Sequence, residues 1–207
     1  MTSPPASAPR KPPGRPARYS PDELLDVVVR EFIARGYDAA SMEDLARATG
    51  LTKSSIYHHV TGKEELLRLA VARAVDALFA VLDEPGSSTG PAIERLEHVV
   101  RRSTDVLAAQ LPYVTLLLRV RGNTEAERWA LSRRREFDKR LSALVQHAID
   151  EGDLRADLDP RVVTRLLFGM VNSLTEWFRP GGAHRVQQVA DTLVALAFEG
   201  LRERPPR

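Results

Sequence analysis

Apolar residues recur every three or four positions along most of the chain, and the breaks between stripes carry the capping residues of helices. The first stripe is Leu24, Val28 and Phe32, widened by Leu25 and Val29. Ser20 as N-cap, Pro21 at the first helical position and Glu23 completing a capping box announce its start. Gly36 supplies a left-handed stop, with Tyr37 placed to pack back on the helix. A second helix, barely two turns long, opens at Ser41, turns Met42, Leu45 and Ala46 inward and ends at Gly50. Thr52 caps a third, Lys53 to His59, which Thr61 and Gly62 break. Leu45, Ala46, Leu51 and Ile56 form the small interior between the pair. Two short helices joined by a Gly-containing turn have the spacing of a helix-turn-helix.

Beyond this pair the stripes lengthen. Thr61 and Glu64 predict a capping box for a helix from Lys63 to about Asp83, with Leu66, Leu67, Ala70, Val71, Ala74, Leu78 and Phe79 inward. Pro85 to Gly90 reads as a loop. Pro91 starts a helix to about Leu111, and Pro112 divides it from an apolar segment, Tyr113 to Val120. After a turn at Gly122 and Asn123, a helix on the order of 40 Å runs from Thr124 to about Glu151. Asp159 caps a helix spanning Arg161 to Phe178, and after Pro180, Gly181 and Gly182 a final helix spans about His184 to Leu201. Both of these last helices are apolar over more than one face, so they need a partner beyond their own core. The fold class is all-α: a three-helix helix-turn-helix domain at residues 19–66 and a larger helical domain at residues 67–207.

Composition narrows the chemistry. The 207 residues include no cysteine, so disulfides, thiolate metal sites and Cys nucleophiles are excluded. No signal-peptide core and no stretch of 18 apolar residues is found, which predicts a cytoplasmic protein with no membrane partner. There is no phosphate-binding Gly loop, no nucleophile elbow and no HExxH helix, so an enzyme is not expected, and no cofactor is implied. His58 and His59 are adjacent and point to different sides of a helix, and Asp153, Asp157 and Asp159 lack the spacing of an EF-hand loop; no metal site is expected.

Net charge is only +2, but its distribution is uneven. Residues 1–18 carry Arg10, Lys11, Arg15 and Arg18 without one acid and are too poor in apolar side chains to order alone, so they read as a disordered basic arm. Gly14, Arg15 and Pro16 resemble the core of minor-groove AT-hook peptides, which places Arg15 and Arg18 along the minor groove or on phosphates. In the third helix Lys53, Ser54, Ser55, Tyr57 and His58 face outward. A two-turn helix fits the major groove, where Lys53, Ser55 and His58 can reach base edges. Lys63 sits in the first turn of the following helix, where a cation is out of place unless a phosphate arrives. The run Arg133, Arg134, Arg135 with Lys139 and Arg140 reads as a solvated face.

The segment SPDELLDVVVREFIARGYDAASMEDLARATGLTKSSIYHHVTGKEELL, residues 20 to 67, resembles the DNA-binding domain of the TetR family of repressors. The likeness is specific in the G-Y turn, the LARATG turn, the SSIYHH helix and the GKEEL opening. Val60 stands where the family usually carries Phe, which thins the packing under the reading helix. The resemblance implies phosphate contacts from Tyr57 and Lys63, with the Ser41 and Thr52 hydroxyls helping at the backbone. It also implies a homodimer through a four-helix bundle of the last two helices and their copies. Such a dimer reads an inverted-repeat operator with half-sites roughly 34 to 36 Å apart.

Family members commonly release DNA when a small molecule spreads the reading heads. FGMVNSLTEWFRPGG is similar to the corresponding segment of TetR regulators of fatty-acid or steroid-ring breakdown, which respond to acyl-CoA thioesters. Candidate pocket residues are Tyr113, Trp129, Phe137, Phe168, Met170 and Trp177, with Asn172 as a buried amide and Arg119, Arg121 or Arg179 to meet a phosphate or carboxylate. An acyl-CoA and another hydrophobic effector both satisfy the sequence, as does a ligand-independent or corepressor-activated DNA-binding protein.

Overall fold

The computed structural model describes residues 20–201. Ten helices follow in chain order: α1 (Pro21–Arg35), α2 (Met42–Thr49), α3 (Lys53–Tyr57), α4 (Lys63–Asp83), α5 (Pro85–Ser88), α6 (Ala92–Ala109), α7 (Leu111–Arg119), α8 (Glu125–Asp150), α9 (Pro160–Trp177) and α10 (Val186–Leu201). The N-terminal arm, with Arg15, Arg18 and the GRP motif, lies outside the described residues.

Local chemistry sets the first three helices. The Ser20 hydroxyl accepts from Glu23 N–H while the Glu23 carboxylate accepts from Ser20 N–H, and Ser41 and Asp44 repeat the exchange at α2. Gly36 (φ 85°) and Gly50 (φ 63°) take positive φ angles that other residues enter only with strain, so each can end its helix where the next must turn. Thr52 caps α3 by accepting from Ser55 N–H at 3.2 Å. The shared interior of this region is Phe32, Leu45 and Ile56, all fully buried, with Val60 and Leu66 closing it. Val60 is 5% exposed and fills the position below α3 despite its small size.

α4 is the axle of the molecule, packed on α1 at one end and on α6, α7 and α8 beyond it. α6 in turn carries α8, α9 and α10. One core runs continuously from Phe32 to Phe198. The boundary drawn at residue 66 therefore falls inside one unbroken helix.

Four details differ from the sequence reading. α3 is shorter, ending at Tyr57, because His59 N–H and Val60 N–H both close back on Ile56 O and turn the chain. The box expected between Thr61 and Glu64 does not form. Glu65 accepts from both Thr61 N–H and Thr61 Oγ, while Glu64 accepts from Ala126 N–H at 3.0 Å and ties the start of α4 to the start of α8. The stretch at Pro85 holds a single helical turn, anchored by the buried Ser87 hydroxyl donating to Val81 O. The basic run on α8 is not one solvated face: Arg133 and Arg140 pair with Glu136 and stack over Phe79, whereas Arg135 and Lys139 turn to the opposite flank.

Candidate nucleic-acid interface and effector cavity

α3 projects its polar side away from the fold, with Ile56 buried beneath it and Tyr57 51% exposed. Lys53, Ser54 and His58 are exposed beside it and Ser55 is half-buried. In the free protein Lys53 pairs with Glu43 of α2. Both partners are exposed, so the pair adds at most about 1 kcal/mol and yields readily to a stronger anion.

The Ser41 and Thr52 hydroxyls are engaged as caps. Ser41 Oγ accepts the Asp44 N–H at 3.2 Å, while Ser41 Oγ and Ser41 N–H both donate to the Asp44 carboxylate, at 2.6 and 3.0 Å, and these two bonds pull that carboxyl down to about 2. Lys63 is less free than its sequence position suggests. Its ammonium donates to Tyr37 O at 2.9 Å and Asp38 O at 3.3 Å and lies 4.5 Å from the centre of the Tyr37 ring. Burial, with Glu64, Glu127 and Asp38 nearby, pushes the Tyr37 hydroxyl up to about 12. Behind Lys63, the N-cap of α4 is Gly62 with no side-chain cap, so first-turn amides stay open to an anion.

A second set of contacts joins this region to the large domain. Tyr113 of α7 donates to Asp26 of α1, and Arg73 of α4 donates to Tyr113 at 3.3 Å while stacking over its ring. Burial and the Asp26 carboxylate both raise the Tyr113 hydroxyl, which stays protonated as a donor. Arg119, at the end of α7, donates to Ile33 O at 3.1 Å.

Inside the large domain Phe79, Ser103, Leu107, Val114, Leu118, Phe137, Phe168 and Asn172 line a cavity of about 50 Å³. Phe137 stands edge-on to both Phe79 and Phe168, with ring centres 5.7 and 5.2 Å apart. Arg133, Arg134 and Asp138 form its polar rim. Desolvation raises the Asp138 carboxyl against the opposing pull of Arg134 and Arg165.

Ser103 is the unusual member. It is fully buried and its hydroxyl has no hydrogen-bond partner, whereas its neighbour Thr104 donates to Val100 O at 2.9 Å in the ordinary helical way. A buried, unpaired hydroxyl costs about 1–3 kcal/mol.

Three of the expected pocket residues, Phe137, Phe168 and Asn172, meet at this cavity. The others do not. Tyr113 is spent on Asp26, Arg119 on Ile33 O, Trp129 lies under Arg68 at 5.0 Å, and Trp177 is 47% exposed on the outer side of α9. Met170 lies with Trp177 along a groove between α9 and α10 rather than in the cavity. Arg179 is turned onto the Phe178 and Glu176 carbonyls, and Arg121 faces the cleft between the domains. The cations at the cavity are Arg133 and Arg134. Sequence reasoning missed Ser103, although its place on the buried stripe Leu96, Val99, Val100 and Leu107 is a usable signal.

Among the described residues the large exposed apolar side chains are Tyr57, Leu69, Val162, Leu166, Trp177 and Leu196, so α9 and α10 carry four of six. No described helix is long and apolar enough to cross a membrane.

Two family models match this arrangement. Residues 24–70 match the bacterial regulatory proteins of the TetR family, and residues 89–201 match the tetracyclin repressor-like C-terminal domain. The chain belongs to the TetR family. It is a DNA-binding transcriptional regulator, built like other members as a helix-turn-helix head on a helical regulatory domain.

Among relatives, the HTH-type transcriptional repressor KstR2 of Mycobacterium tuberculosis is 28% identical over 187 residues, covering 86% of this chain and 91% of the relative. The solved structure of SCO3833 from Streptomyces coelicolor A3, a TetR-family member, is 60% identical with a TM-score of 0.83, covering 89% of this chain and 94% of that one. AibR, solved in complex with isovaleryl coenzyme A and operator DNA, is 26% identical with a TM-score of 0.73, covering 84% and 96%.

Proposed function

We propose that this TetR-family regulator is a repressor that binds an inverted-repeat operator as a homodimer and leaves it when a small hydrophobic effector, of the acyl-CoA type, enters the α6–α9 cavity. Residues 19–66 are the reading head and residues 67–207 the effector and dimerisation domain. Lys53, Ser54, Ser55 and His58 address the major groove. Tyr57 and the third N–H of Lys63 meet phosphates, as do the open amides at α4, with Ser41 and Thr52 holding the backbone in register. Arg15 and Arg18 extend the contact into the neighbouring minor groove. The exposed apolar residues of α9 and α10 join the two copies.

The unpartnered Ser103 hydroxyl carries the effector reading. A buried donor facing an apolar cavity, with Asn172 beside it and two arginines at the rim, is a site waiting for a polar atom on an otherwise apolar ligand. The neighbour AibR, crystallised with isovaleryl coenzyme A, supports the acyl-CoA class. A cavity of about 50 Å³ has room for a few waters, so a thioester must push its walls apart.

One wall is α7. Its Leu118 also lines the interdomain cleft, and its Tyr113 and Arg119 are bonded to α1. Expansion at the cavity therefore shifts α7 against the head. The ligand favours the released state only by binding the expanded cavity more tightly.

The test is a titration of acyl-CoA thioesters of graded chain length and branching into the complex of the full chain with its own promoter DNA. Release by at least one is expected, and release by none removes the acyl-CoA assignment. A footprint of one chain on a non-palindromic site would remove the dimeric operator model.

A further inference from the structure

The flank of α8 opposite Glu136 brings together cations that are far apart in the chain. Arg135 and Lys139 of α8 face Arg161 and Arg165 of α9 across a groove of about 230 Å³, floored by Ser142 and Thr164. Ser142 Oγ donates to Thr164 Oγ at 3.2 Å, and Thr164 donates on to Pro160 O at 2.8 Å, so the floor is fixed by its own bonds. Among the described residues no ion pair is formed by Arg135, Lys139, Arg161 or Arg165. Asp138 is the single acid on the lining, so the groove keeps a local excess of positive charge. Some arginines elsewhere on the surface are matched by acids: Arg133 and Arg140 with Glu136, Arg102 with Glu84 and Asp105, Arg155 with Asp157.

The groove adjoins the effector cavity. Asp138 lines both. On α9, Arg161, Arg165, Phe168 and Asn172 succeed one another at helical spacings of four, three and four, so they form one ridge with cations at one end and cavity-lining residues at the other. From Asn172 back to Arg161 the ridge spans about 16 Å at 1.5 Å per residue. The track suits a long ligand with an apolar end and an anionic head.

We infer that this groove is a phosphate-binding subsite that holds the phosphorylated head of the effector while its acyl end lies beside Ser103 and Asn172. The inference rests on the acyl-CoA reading above and adds where the nucleotide phosphates go. Arg161 and Arg165 reach them from α9, and Lys139 and Arg135 from α8. Binding then clamps α8 to α9 from outside while the acyl group spreads the interior.

The experiment uses the full-length protein and calorimetric titration with three probes: the acyl-CoA that releases operator best, its S-acyl-pantetheine counterpart without phosphates, and inorganic pyrophosphate. Each is titrated into wild type and the Lys139→Gln, Arg161→Gln double variant, whose exposed side chains leave the core untouched. The variant is expected to bind acyl-CoA about tenfold more weakly at low salt, with the difference shrinking as ionic strength rises. Acyl-pantetheine is expected to bind both proteins alike, and pyrophosphate to compete with acyl-CoA but not with acyl-pantetheine. Equal acyl-CoA affinity in both proteins overturns the subsite and leaves the effector reading standing. Equal weakening of acyl-pantetheine also overturns it, since the loss then comes from packing. Wild type that binds no acyl-CoA sinks the effector reading and this inference with it, and pyrophosphate bound in that case marks a free-phosphate site instead.

Discussion

The reading head and the effector domain are held by the same kind of apolar helix packing, yet they are specified in different ways. In the head each turn follows from residues within a few positions of it: Ser20 with Glu23, Ser41 with Asp44, Thr52 with Ser55, and the positive φ angles of Gly36 and Gly50. In the effector domain the site is assembled from α4, α6, α7, α8 and α9, and no local run announces it. The head is built to present a fixed surface. The other region keeps a buried hydroxyl, that of Ser103, with no hydrogen-bond partner in the protein.

The largest separation between the two regions is expected from Leu45→Ala. Leu45 is fully buried in the small interior of the head, and its truncation should cost about 2–5 kcal/mol. Operator binding should be lost while effector binding by calorimetry is retained. Loss of both would mean that head and effector domain unfold as one unit.

Ser103→Ala should act in the opposite direction. Removing the unpaired hydroxyl raises stability by about 1 kcal/mol in a denaturant melt and weakens effector binding by a few fold. A destabilised variant would mean that the hydroxyl has a partner in solution and is not held for a ligand.

The caps of the head predict an acid dependence opposite in sign to that of Asp138, whose carboxyl is raised at the rim of the cavity. Asp44, lowered to about 2 by its bonds to Ser41, has a folded pKa below its ordinary value of 3.8. Its contribution is therefore complete above pH 4 and fades as pH falls toward 2. Asp44→Asn should flatten the acid limb of the thermal melting curve, and an unchanged limb would show that the box adds nothing. The smallest effect is at Glu43→Gln, which frees Lys53 and should tighten operator binding about twofold, a few tenths of a kcal/mol. Weaker binding would mean that Glu43 positions Lys53 for DNA.

The same division governs what the sequence reveals. The helix-turn-helix is legible because caps, glycines and a short apolar set act within one or two turns. The order of the long helices is legible from their stripes, and the apolar excess of α9 and α10 shows as exposed Val162, Leu166 and Leu196. The cavity is legible only in part. Phe137, Phe168 and Asn172 converge on it, but aromatic character alone does not say which way a side chain is spent, and Tyr113, Trp129 and Trp177 are spent elsewhere. The run at Arg133 shows the limit most clearly. Consecutive arginines on a helix point to different flanks: Arg133 meets Glu136 on one side, and Arg135 faces Arg161 and Arg165 on the other, a grouping of like charges that becomes visible only when α9 is laid against α8.

The central claim, that effector binding changes the spacing of two reading heads, is open to a direct distance measurement. The chain contains no cysteine, so Ser54→Cys supplies a single site for a spin label on the exposed side of α3. Pulsed electron-electron resonance on the dimer then reads the separation of the two reading helices. Without effector the distribution should include the roughly 34–36 Å helix spacing that matches one turn of DNA. Saturating acyl-CoA should move the population several ångströms away from it. A distribution unchanged by an acyl-CoA that demonstrably binds would contradict the account.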